Sequence, residues 1–139
     1  MGIATVRSVS SARTLTLWAG RLIIAVSLMH IVFFAIRSLD HLPGWFTGDL
    51  WANEPFDAPI SQSQAHFWTL LGSFAVPLLL LGAVIVRSAK EGRPLLAYLT
   101  WTISAWVLVC ALVLEPAGFP FLLVPAGMLI AAEVLRKRT

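Results

Sequence analysis

The sequence predicts an all-α membrane protein: a four-transmembrane-helix bundle with one long outer loop between helices 1 and 2. Three observations predict it. Leu95–Leu114, LLAYLTWTISAWVLVCALVL, is an uncharged apolar run. As a helix it spans about 30 Å, the hydrocarbon thickness of a bilayer. Other apolar runs flank it, on connections too short for soluble domains. Finally, the 139 residues are 58% hydrophobic and 12% charged, where soluble domains carry roughly 25% charge.

Residues 1–16 are Ser/Thr-rich with two arginines, and read as a disordered cytoplasmic tail. A basic start before an apolar run raises a signal peptide, but Arg37 spoils the small-residue cleavage pattern, so the run is read as a retained span. The first span covers 17–36. On a 3.6-residue period Gly20, Ile23, Ser27, His30, Phe34 and Arg37 share one face. Small and polar residues on one stripe mark the side turned to other helices. Residues 37–66 form the long loop, with turn signals at Pro43-Gly44, Gly48-Asp49, Glu54-Pro55 and Ala58-Pro59. Ser61 to Gln64 offer an N-cap for the next helix.

The second span covers 67–86 and carries Pro77 in mid-run, where a kink is expected. Gly92 suits a helix end and Pro94 the first turn of the third span, 95–114. Thr102, Ala105 and Cys110 are its small contacts. The fourth span covers 119–135, with Pro120 and Pro125 near its start. Its Gly127-x-x-x-Ala131 pair is expected to let backbones approach. Residues 136–139 form a basic cytoplasmic end.

Charge sets the orientation. Three bases lie in the stretch through Arg21, three in the 87–94 turn and three at the C-terminus, nine of the ten Lys and Arg. In a four-span chain all nine fall on one side, with Arg37 alone on the other. The positive-inside rule then places both termini in the cytoplasm. The net charge of +3 therefore points to membrane lipids as partners and not to nucleic acid.

His30, the Phe67-Trp68 pair, the Gly92-Arg93-Pro94 turn and the Glu115-to-Phe119 turn carry a resemblance. The chain resembles a family of uncharacterised bacterial four-helix integral membrane proteins, grouped as a domain of unknown function. The resemblance covers roughly residues 18–135. It implies four spans and a bacterial cytoplasmic (inner) membrane, and brings no activity with it.

The candidate site is a polar cluster at the outer half of the bundle. Its expected ligand-binding residues are Ser27, His30, Arg37, His66, Trp68, Thr69 and Glu115. Intramembrane ionisable residues are costly and mark candidate sites. His30 and Glu115 are the candidate acid–base pair, since a neighbour can tune either group for proton transfer. Each also has a structural reading: His30 as an interhelical hydrogen bond, Glu115 as a solvated helix end, His66 as an interfacial residue. No metal is expected, because His30, His41, His66 and Glu115 lack ligand spacing. The single Cys110 excludes an internal disulfide and thiol redox chemistry. No phosphate loop or nucleophile elbow occurs, and no cofactor is expected.

Three function classes remain. The first binds or moves a small hydrophobic or cationic molecule, and a transporter of this size would call for a homodimer. The second is a membrane-embedded isomerase or cyclase acting on a lipid-like substrate through His30 and Glu115. The third is an accessory subunit of a larger membrane complex.

Overall fold

A computed structural model of the chain describes residues 2–51, 58–114 and 118–138, with side chains from residue 8 onward. The secondary structure among them is helical throughout. Helix α1 is Gly2–Arg37, α2 is Leu42–Thr47, α3 is Gln62–Leu70, α4 is Ala75–Lys90, α5 is Ala97–Val113 and α6 is Leu123–Lys137. Short 3-10 turns at Leu39–His41 and Phe119–Leu122 precede α2 and α6. Three helical stretches are long and apolar enough to cross a membrane: Ser8–Arg37, Gln62–Lys90 and Phe119–Lys137. Ala97–Val113 is apolar but shorter.

Residues 2–16, expected as a disordered tail, instead continue α1. Ser and Thr side chains usually compete with the helical backbone. Here Thr14 and Thr16 donate back to the carbonyls of Ser10 and Ala12, at 3.0 and 2.9 Å, one turn earlier. Arg13 then ties this part of α1 to α4. Its Nε and Nη2 donate to the carbonyls of Ala89 and Lys90, both at 2.8 Å. Those carbonyls belong to the last turn of α4, which lacks intrahelical donors.

The long loop is folded where it is described. Trp45 of α2 is buried, and its indole N–H donates to the Ser63 carbonyl at 3.0 Å. Its ring meets Phe67 edge to face at 5.6 Å. Gly48, at a φ of +119°, lets the chain turn out of α2. Ser61 begins α3 with a capping box: its Oγ accepts from the Gln64 N–H, and the Gln64 side chain accepts from the Ser61 N–H.

The expected kink at Pro77 is a break at residues 71–74. A proline has no N–H for the carbonyl four residues earlier, and its ring clashes with it. Here the helix stops at Leu70 instead of kinking through Ser73. It restarts at Ala75, which places Pro77 in the first turn, where a missing N–H costs nothing. Ser73 bridges the gap: its Oγ donates to the Leu70 carbonyl at 2.9 Å and accepts from the Ala75 N–H at 3.3 Å.

Gly92, at a φ of +69°, closes α4, with the Arg93 N–H bonded to the Ser88 carbonyl at 2.9 Å. Helix α5 begins at Ala97, so Pro94 lies in the connection and not in the first turn. Helix α5 buries Thr100, Ser104, Val107 and Ala111, a helical stripe, while Thr102 and Ala105 face outward. Ser104 Oγ donates to the Ala126 carbonyl of α6 at 3.4 Å.

Helix α1 is central. It packs on α4 along one side and on α6 along the other, and α5 packs on α6. Ala19, Ile23, Leu78, Ile85, Val107 and Leu129 form the heart of the core. Helices α1 and α4 approach closely at Gly20 and Gly82. A Cβ on Gly20 would stand 3.0 Å from the Gly82 carbonyl oxygen, and one on Gly82 would stand 3.0 Å from the Gly20 oxygen. Gly127 does not play the expected part. It is exposed, nothing lies within 4 Å of a Cβ built there, and Ala131 is exposed beside it. The outer faces of the long helices carry Leu28, Val32, Leu80, Val84, Leu108 and Leu112, an exposed apolar belt suited to lipid.

Candidate functional site

Where α3 and α4 break, they part from α1 and leave a groove of about 570 Å³. Helix α1 lines it with Ser27, His30, Phe33 and Phe34, and α3 lines it with Trp68 and Thr69. Gly72, Ser73 and Phe74 of the break form a second wall. Phe119 and Leu122, of the turn before α6, close the far side. Four of the expected ligand-binding residues, Ser27, His30, Trp68 and Thr69, therefore meet in one place.

The geometry around His30 comes from the break. A continuous helix would spend the Thr69 carbonyl on the N–H of residue 73. The break frees it, and His30 Nε2 sits 3.0 Å away. A carbonyl only accepts, so Nε2 carries the proton. In the uncharged tautomer that this bond selects, Nδ1 is an acceptor, and no partner for it occurs among the described residues. The ring rests against Phe34 at 4.5 Å between centroids. One turn before His30 on the same face, Ser27 is 2% exposed, and its hydroxyl has no hydrogen-bond partner among the described residues. Trp68 folds back over Gly72, whose missing side chain makes the room: a Cβ there would collide with the indole.

Arg37 and His66 stand outside the groove. Arg37 lies one turn further along α1, its guanidinium 5.4 Å from the centre of the Phe33 ring. His66 turns to the loop. Its Nδ1 is 3.2 Å from Ser38 Oγ, and its ring stacks on His41 at 4.1 Å. Glu115 lies outside the described residues, as do the Glu54-Pro55 turn and the Glu115-to-Ala117 part of the turn before α6. Among the described residues no three His, Cys, Asp or Glu side chains gather as a metal site would need.

The opposite end of the fold holds a pocket of about 200 Å³ that the residue pattern alone did not single out. Ala12 and Arg13 of α1, Ala89 of α4, Thr100 of α5 and Glu133 of α6 line it, with Arg93 and Arg136. Successive long helices thus run antiparallel and bring their basic ends together. Glu133 is buried to 4% exposure, and Arg136 clasps both carboxylate oxygens, at 2.9 and 2.7 Å. Lys137 stands 3.7 Å off. A glutamate one turn before two bases on a helix was the available signal. On the connection beside it, hydrogen bonds from Arg87 and Arg93 hold the Glu91 carboxyl below the usual carboxylate range.

Curated proteins and solved structures yield no match to this chain. One family model matches residues 14–136, from the residue beside the arginine that ties α1 to α4 through the arginine that clasps Glu133. The chain therefore belongs to the family of unknown function DUF6463.

Proposed function

We propose that the protein is a four-span membrane protein whose groove binds a small hydrophobic molecule drawn from the bilayer. The carrying observation is the groove itself: a concave, mostly aromatic and aliphatic cleft with a few polar groups in its wall, the usual make-up of a small-molecule site. Its lining among the described residues holds no Asp or Glu. Arg37 adds a positive charge behind Phe33. Of the hydrophobic and cationic classes open from sequence, both features favour the neutral hydrophobic one.

The short helix α5 crosses together with Leu95, Leu96 and Leu114, which lengthen its apolar run. Helices α1, α3–α4 and α6 supply the other spans. The basic end lies in the cytoplasm and the groove in the outer half, on the ground that Arg13, Arg93 and Arg136 share one end. The membrane is the bacterial inner membrane implied by the resemblance. A homodimer would use part of the exposed apolar belt, such as Leu108 and Leu112 of α5.

Met29 lines the groove yet is 56% exposed, so enlarging it leaves the core intact. Met29→Trp should fold normally and lose a lipid that co-purifies with the wild type, read by native mass spectrometry. The same bound mass on both proteins would refute the groove as the binding site.

A further inference from the structure

The polar atoms in the groove wall specify more than an apolar ligand. Resting on the reading that the groove binds a hydrophobic molecule, we infer that this ligand is an uncharged amphiphile headed by a hydroxyl group, held between Ser27 Oγ and His30 Nδ1. Each atom contributes one half of the argument. The His30 tautomer is set by the Thr69 carbonyl, which accepts the Nε2 hydrogen at 3.0 Å. With the proton on Nε2, the uncharged tautomer leaves Nδ1 to accept. Ser27, three residues earlier and on the same helix face, is among the residues lining the same groove; its hydroxyl oxygen is buried just behind that wall and has no partner among the described residues. Such a hydroxyl in an apolar interior costs stability until a partner arrives.

An acceptor on His30 and a hydroxyl on Ser27 that can donate or accept, three residues apart on one helix face, fit a group that both donates and accepts. An alcohol or phenol does both. It donates its O–H to His30 Nδ1 and accepts the Ser27 hydroxyl hydrogen on its oxygen. An ether can only accept. A carboxylate can only accept and brings a charge into an apolar cleft. An ammonium could donate to both atoms, but its charge finds no carboxylate in the described lining and meets that of Arg37 beside Phe33. The aromatic walls, Phe33, Trp68, Phe74 and Phe119, then hold the hydrocarbon part.

The test titrates the full-length protein in detergent with hexadecanol, hexadecyl methyl ether, hexadecylamine and palmitate, each read by native mass spectrometry. The wild type should bind the alcohol about tenfold more tightly than the ether, the scale of one buried hydrogen bond. His30→Leu should abolish that difference, and His30→Gln should keep it, because Gln can donate to Thr69 and still accept. Ser27→Ala should weaken alcohol and ether alike and leave the alcohol preference standing. Since Ser27 has no partner to lose among the described residues, the apo thermal stability of this variant should be unchanged or raised, which separates a ligand contact from a structural one. Equal binding of all four probes, each displaced by Met29→Trp, would overturn the hydroxyl head and leave the groove as a lipid site. Tightest binding of the amine or the acid would do the same. No binding, or binding indifferent to Met29→Trp, would overturn the groove reading as well.

Discussion

The two ends of the bundle handle the same helices in opposite ways. At the basic end, α1 and α4 touch backbone to backbone at Gly20 and Gly82, and the polar groups there satisfy one another. Arg13 caps the end of α4, and Arg136 and Lys137 neutralise Glu133. At the other end the helices part around Trp68, Phe33 and Phe74, and polar atoms are left over: the Ser27 hydroxyl and His30 Nδ1. On the proposed function, the polar atoms beside the groove are the ligand's partners, and the tightly packed basic end is the scaffold from which the groove opens.

The largest test of this contrast is all-or-none. If the two ends lie on opposite faces of a membrane, Ser10→Cys and Phe46→Cys in a Cys110→Ala background should label from opposite sides. Phe46 is exposed beyond the groove end and Ser10 is exposed at the basic end. Position 46 should label from outside in intact cells, and position 10 only after permeabilisation. The reverse pattern inverts the assignment, and labelling of both from one side removes the contrast altogether.

Closure at the basic end depends on two absent side chains. Gly82→Leu drives a side chain into Ile24 and the Gly20 backbone and should destabilise by about 1–3 kcal/mol, the usual cost of overpacking. Gly127→Leu has open space and should change stability by less than roughly 0.5 kcal/mol. Detergent melting temperatures compare them, and equal losses would show that the Gly127 face is covered in the assembled protein. A smaller effect contrasts the polar groups. Arg13→Ala removes two hydrogen bonds from an exposed arginine and should cost about 1 kcal/mol. Ser27→Ala should cost nothing. If both lower the melting point equally, the groove end is no less satisfied than the basic end.

Much of the scaffold was legible because it depends on local rules. The apolar runs, the Ser61 capping box and the Gly92 helix end each need only a few neighbouring residues. Clustering of the bases needed only a count. Four groove residues were legible too, since Ser27 and His30 share a helical stripe and Trp68 and Thr69 open the next apolar run. What escaped depends on distant partners. The N-terminal Ser/Thr stretch reads as a tail until the α4 carbonyls reached by Arg13 are known. Small pairs look alike in sequence, and only packing shows that Gly20 and Gly82 are spent on contact while Gly127 is not. His66 was expected at the site, but the fold of the long loop brings it a better neighbour in His41. The neighbourhood of the break was readable, because a proline weakens the helix around the carbonyl four residues upstream; that it opens into a full break and not a kink was not.

That break couples two positions on different helices. Pro77 stands at the start of the restarted helix, the interruption leaves the Thr69 carbonyl without its backbone donor, and the imidazole of His30 takes that donor's place. A chain that sealed the helix through Ser73 would give the carbonyl its own N–H and release the imidazole, so substitutions at 30 and 77 are expected to be non-additive although the residues lie far apart in the chain.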